Sequence, residues 1–91
     1  MKTVFKYKLD CSISEISIPL NATLLCVASQ GSEIFLWAEV ETDFPLHIRK
    51  FHLVGTGEKL PDFSENIKYF GTAFVAKFVF HVYEVIENSP K

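Results

Sequence analysis

Polar and apolar residues alternate with a period of two along most of this chain, and no segment carries the spacing of an amphipathic helix. In TVFKYKL, Phe5, Tyr7 and Leu9 fall on one side of an extended chain, and Lys6 and Lys8 on the other. That predicts a half-buried first strand. SISEISIPL sets Ile16 and Ile18 on one face and ends at Pro19, which cannot donate to a ladder. Asn21 and Ala22 make a connection, and TLLCVASQ follows as a buried strand. Gln30-Gly31-Ser32 is a turn, so EIFLWAEVE is its antiparallel hairpin partner. After a break at Pro45, HIRKFHLVG reads as a strand of about eight residues, TGEKLPDFSEN as a loop, and IKYFGTAFV and KFVFHVYEVI as closing strands. Asp62 or Ser64 would cap at most one short helical turn near 62–66. The expected fold is all-β: a single domain over 1–91, a small sandwich or partly open barrel of six to seven mostly antiparallel strands, with 86–91 as a flexible tail.

A chain of 91 residues buries roughly 60–65% of its extended surface, yet 48% of these residues are hydrophobic and nine are Phe. Either Phe fills a tight sandwich core, or part of this load lies on the surface and serves a protein partner, a ligand or a second copy in a homodimer. The net charge of −2 gives no footprint for general nucleic-acid binding. Lys2, Lys6 and Lys8 lie on one face of one strand, where lysines guard a sheet edge against aggregation. MKTVFKYKLD lacks the apolar run of a signal peptide, and no run approaches the roughly 18 residues of a membrane helix, so a cytoplasmic location without membrane contact is expected. Cys11 and Cys26 are too far apart for a CxxC motif and read as free thiols in a reducing compartment, a disulfide between them being the alternative.

The glycine loop after the HIRKFHLVG strand raises the question of phosphate binding. Gly55-Thr56-Gly57 is followed by Glu-Lys-Leu-Pro, with no third glycine, no helix start and no P-loop lysine. A turn is the simpler reading; the alternative is an anion-binding nest of Gly55, Thr56 and Gly57 with charge from Arg49, Lys50 or Lys59. His47 and His52 fall on opposite faces of their strand, and neither finds a third ligand with His81, so no metal site is expected. Neither thiol is marked as activated, and the acidic residues are dispersed, so no catalytic residue and no cofactor is assigned. The aromatics carry more. On EIFLWAEVE, Phe35 and Trp37 share a face with Glu39 and Glu41, resembling an interface core with a polar rim. The closing strand is apolar on both sides, either because it is central or because a partner covers it, and Tyr83 joins Trp37 as a preferred anchor.

Taken in order, VFKYKL, ISIPLNATLLCVASQGSEIFLWAEVE, FHLVGTGEKLP and YFGTAFVAKFVFHVYEV form a skeleton that spans the chain from about Val4 to Glu84. This ordered set resembles a family of small proteins of unknown function encoded by bacteriophages and prophages. The chain departs from that pattern in its final hairpin, which lacks glycines between its strands, and at Tyr83, where Phe is more usual. The resemblance implies a phage origin and action in the cytoplasm of the host bacterium, and it implies no activity. By analogy with small phage accessory proteins, the leading expectation is a non-enzymatic protein that inhibits a host defence factor, such as a CRISPR effector, by protein–protein contact. Two alternatives stand beside it: an oligomeric sponge for a phosphorylated or cyclic-nucleotide signal at the glycine loop, and a minor virion or assembly component.

Overall fold

A computed structural model describes residues 1–10, 12–60 and 66–86. Seven strands run in chain order: β1 (Lys2–Leu9), β2 (Ile13–Pro19), β3 (Thr23–Gln30), β4 (Glu33–Glu41), β5 (Leu46–Gly55), β6 (Asn66–Val75) and β7 (Phe78–Ile86). They form two antiparallel sheets, one of three strands in the order β1-β4-β3 and one of four in the order β2-β5-β7-β6. The described residues contain no helix, and the sheets do not close into a barrel. The architecture is therefore the sandwich of the two all-β forms expected. β5 runs to ten residues where about eight were expected, and Ile86, expected to open the tail, ends β7. The helical turn expected near 62–66 lies outside the described residues, apart from Asn66, which opens β6.

Alternation accounts for the packing. On β4, Ile34, Leu36, Ala38 and Val40 are buried, while every residue between them is partly exposed. These four meet Ile16 and Ile18 of β2, Phe51 of β5, Ala73 of β6 and Val82 of β7, together with Leu9 of β1. Phe51, Leu36 and Ile18 have no accessible surface at all. Most of the nine phenylalanines are not in this core: Phe5, Phe44, Phe74 and Phe78 are each more than 40% exposed, so the aromatic excess does reach the surface.

Both hairpins turn in two residues, and in each the first central residue alone has positive φ, the sign pattern of a type II′ turn. Gly31 supplies it between β3 and β4, with φ 64°. Between β6 and β7 the same position is Ala76, with φ 53°. The missing glycine of the final hairpin thus leaves the turn type intact and places a Cβ in the left-handed region.

One long side of the sandwich is drawn together and the other is open. β3 and β6, the edge strands of different sheets, lie side by side, and each carries a bulge, at Leu24/Cys26 and at Tyr69/Gly71. Bulges bend and twist a strand out of its ladder, which lets the two edges approach. At the meeting point a Cβ built on Gly71 would lie 2.5 Å from Cγ1 of Val27. Only glycine fits there. Across the sandwich, β1 and β2 each pair on one side only.

Two stability tests follow. Gly71→Ala is expected to cost about 1–3 kcal/mol by overpacking, and Val27→Ala in the same chain is expected to return part of that loss, so a double-mutant cycle in urea reads the contact directly. Additive losses would place the effect elsewhere. Ala76→Gly is expected to raise stability by about 0.5–1 kcal/mol by relieving the left-handed alanine, seen as a higher thermal midpoint.

Candidate functional site: an aromatic face on the three-stranded sheet

The outer face of the three-stranded sheet is built by register. β1 contributes Lys2, Val4, Lys6 and Lys8; β4 contributes Glu41, Glu39, Trp37 and Phe35 opposite them; β3 adds Cys26 beside Trp37 and Ala28 beside Phe35. Since the inner residues of β4 face the other sheet, this outer set meets no described strand. Phe35 and Trp37 lie 6.1 Å apart, ring to ring, and stay half-buried among their neighbours. The Lys6 ammonium sits 4.5 Å above the Phe35 ring and donates to Gln30 Oε1 at 2.9 Å. Val4 and the free, exposed thiol of Cys26 extend the apolar centre.

The rim is charged in pairs. Lys8 Nζ lies 2.8 Å from Glu33 Oε2, and that hydrogen bond and charge hold the Lys8 ammonium above its ordinary pKa. Glu41 accepts from the Met1 amino group at 2.5 Å. Pairs this exposed add little stability, so they act mainly to position an ordered polar rim around two rings. Phe35, Trp37, Glu39 and Glu41 are thus brought together as the sequence pattern indicated. Tyr83 is not with them. It lies on the outer face of the four-stranded sheet, opposite His52 and 5.6 Å from the Tyr69 ring, on the far side of the sandwich from Trp37.

The proposed anion site is likewise dispersed. Arg49 and Lys50 share β5 with Gly55 but lie five or six residues away, about 15–20 Å along an extended strand. Arg49 is committed elsewhere: its Nε and Nη2 donate to the two Glu84 carboxylate oxygens at 2.6 and 2.9 Å, and its Nη1 donates to the Ala22 carbonyl at 2.9 Å. Lys50 points to the opposite face, between Glu15 and Val85. In the loop itself the Gly55 amide donates to Glu58 Oε1 at 2.8 Å, the Glu58 amide to the Gly55 carbonyl at 3.0 Å, and the Thr56 amide to the Val79 carbonyl at 3.1 Å. A carboxylate from the chain already occupies the position a phosphate oxygen would take. Lys59 is exposed nearby, and Gly57, with φ 92°, serves the turn.

One polar constellation was not foreseen. Thr56 Oγ1 lies 2.9 Å from His81 Nε2, His81 Nδ1 lies 3.0 Å from Thr72 Oγ1, and Thr72 Oγ1 lies 2.5 Å from the Tyr69 hydroxyl. This chain of four side chains ties the glycine loop to β7 and β6. It crosses a sheet surface on which Ile13, Leu46, Ile48, Tyr69 and Phe74 are all more than half exposed and which also carries Glu15 and Lys50. A cavity of about 580 Å³ opens between the two hairpin turns at one end of the sandwich, floored by Leu9, Ile34, Leu53, Val75 and Phe80. Its rim carboxylates are engaged, Glu33 by Lys8 and Glu58 by Gly55. Among the described residues no three His, Cys, Asp or Glu side chains gather as a metal site, and no helix is long and apolar enough to cross a membrane.

The model of a domain of unknown function, DUF7352, matches residues 1–91. The chain belongs to this family. No curated protein and no solved structure matches it. The family covers the ordered skeleton from β1 to β7 and assigns it no activity, so this DUF7352 chain must be read from its own surface.

Arg49→Met leaves Glu84 buried without its counter-charge and the Ala22 carbonyl without its donor, and is expected to cost about 3–5 kcal/mol in urea unfolding. Replacing Glu84 by Leu in the same chain is expected to recover much of that loss. A single variant as stable as the wild type would show that Arg49 is not a structural residue.

Proposed function

We propose that this protein is a non-enzymatic binding protein that acts by protein–protein contact through the Phe35/Trp37 face. The carrying observation is the pair of large aromatic side chains on the middle strand of a three-stranded sheet, uncovered by any described strand and ringed by Lys2, Lys6, Lys8, Glu33, Glu39 and Glu41. Trp and aromatic neighbours inside a polar rim are the usual composition of an interface hot spot. The rim carries both signs, which suits a partner of mixed charge and tells against nucleic acid.

The ordered motif skeleton supports a bacteriophage setting, in which the partner is a protein of the bacterial host. In that setting the action is inhibition of a host defence factor in the host cytoplasm, a CRISPR effector being one candidate. The same geometry gives less to the nucleotide-sponge alternative, because the loop amides of Gly55, Thr56 and Glu58 already have partners and Arg49 belongs to Glu84.

The test is affinity capture from a lysate of the bacterial host, followed by titration of the captured protein. Trp37→Ala is expected to weaken binding by at least about 30-fold, the loss of a hot-spot anchor. Tyr83→Ala, on the opposite face, is expected to leave binding within about threefold. Retention of affinity by folded Trp37→Ala would refute the assignment of this face.

A further inference from the structure

We propose that the free edge of β1 docks an extended acidic segment of another protein, which adds to the three-stranded sheet as a fourth, antiparallel strand. The site is the edge and not the Phe35/Trp37 face, so this inference stands or falls apart from the proposed function.

β1 pairs with β4 alone. The Thr42 amide donates to the Met1 carbonyl, which fixes the parity of the ladder: odd residues of β1 bond to β4. The amides and carbonyls of Lys2, Val4, Lys6 and Lys8 therefore point away from the sheet, as a row that an added strand can bond. β2, the other strand on the open side, carries Pro19, which has no N–H to offer a new ladder.

Charge selects the occupant. In an antiparallel addition, the residues facing Lys2, Lys6 and Lys8 put their side chains on the same face as the lysines, with Cβ atoms about 4.5–5.5 Å apart. These lysines are poorly neutralised from within. β4 sets Trp37 opposite Lys6 and Phe35 opposite Lys8, and Glu41, which faces Lys2, accepts from the Met1 amino group. Among the described residues only Lys8 of the three has a carboxylate partner, Glu33. Acidic residues at the facing positions gain a cation each. A second copy of β1 gains none, because every antiparallel register of three or more pairs through these residues sets lysine against lysine.

Apolar surface on both flanks of the edge completes the specification. Val4 lies in the lysine row on the outer face and is 51% exposed. Phe5, on the inner face, is 41% exposed and meets the Tyr7 ring edge-on at 6.3 Å. β1 and β2 are not drawn together as β3 and β6 are, so the inner flank of β1 stays open. An added strand lays one apolar side chain beside Val4 and others beside Phe5 and Tyr7. Read from its N-terminus opposite Lys8, the segment that fits is acidic at its first, third and seventh positions and apolar at its second, fourth and fifth.

Hydrogen exchange of the protein followed by NMR, with the peptide Glu-Val-Glu-Val-Val-Thr-Glu as probe, tests this. Saturable binding is expected, with exchange of the Val4, Lys6 and Lys8 amides slowed about tenfold when the peptide stands at about ten times its Kd. The amides of Phe5 and Tyr7, already bonded to β4, are expected to change little. The same peptide with lysine for each glutamate is expected not to bind. Lys6 is exposed, and its replacement leaves the core untouched. Lys6→Glu is expected to weaken the acidic peptide about tenfold, and lysine at the third position of the peptide to restore binding to that variant. No protection at about 1 mM peptide, protection confined to other strands, equal binding of the acidic and basic peptides, or indifference to Lys6→Glu would each overturn the proposal.

Discussion

The close passage of Val27 against Gly71 organises the sandwich. Two flat sheets can pack face to face with all four edges equivalent, but here β3 and β6 are bent into contact by one bulge each. The absence of a side chain at Gly71 lets the two edges touch without a ladder between them. The consequence appears on the other side. Away from the seam, β1 and β2 each pair on one side only, and the chain must manage both edges. It does so by different means, with three lysines on β1 and, on β2, Glu15 and Pro19, which has no N–H to offer a new ladder.

Several of the polar groups in and around the core are consumed internally. Arg49 and Glu84 form a bidentate pair with small side-chain exposure, and the third guanidinium nitrogen reaches the Ala22 carbonyl in the connection between β2 and β3. A pair of this kind contributes little net stability over an apolar substitute, but it accepts only one arrangement of its partners. It ties the end of the four-stranded sheet to the start of β3, at the opposite end of β5 from the cavity near Leu53. At the other end of β5, Glu58 closes on the Gly55 amide, and Thr56, His81, Thr72 and Tyr69 satisfy one another. Little polar chemistry remains free for a small ligand. What the surface offers is apolar area and charged rims.

The faces of the strands were legible in the sequence because the side-chain period is two. Ile34, Leu36, Ala38 and Val40 fall inward, with Phe35 and Trp37 outward, on alternation alone. The β3–β4 hairpin was legible from Gly31. Alternation says nothing about which strands are neighbours, and the remaining differences come from there. Tyr83 and Trp37 each occupy an outward face, but of different sheets. Arg49 and Gly55 share a strand, yet the extended backbone holds them far apart, and the partner of Arg49 comes from β7. The His81 network joins a loop, β6 and β7, three segments that only the strand order brings together. The aromatic excess was visible as a number of residues, while its division between core and surface depended on how much of each sheet the other covers.

The lysines of β1 serve two surfaces at once. Their backbone groups lie on a free edge, while their side chains stand on the outer face beside Phe35 and Trp37, with Lys6 over the Phe35 ring. An edge of neutral or apolar residues would leave the same rings beside an open ladder, and two copies could then add strand to strand across β1 and cover the aromatic face themselves. Positive charge on β1 prevents that without shielding the rings, since an ammonium above a ring can move aside on its flexible stem when another surface arrives.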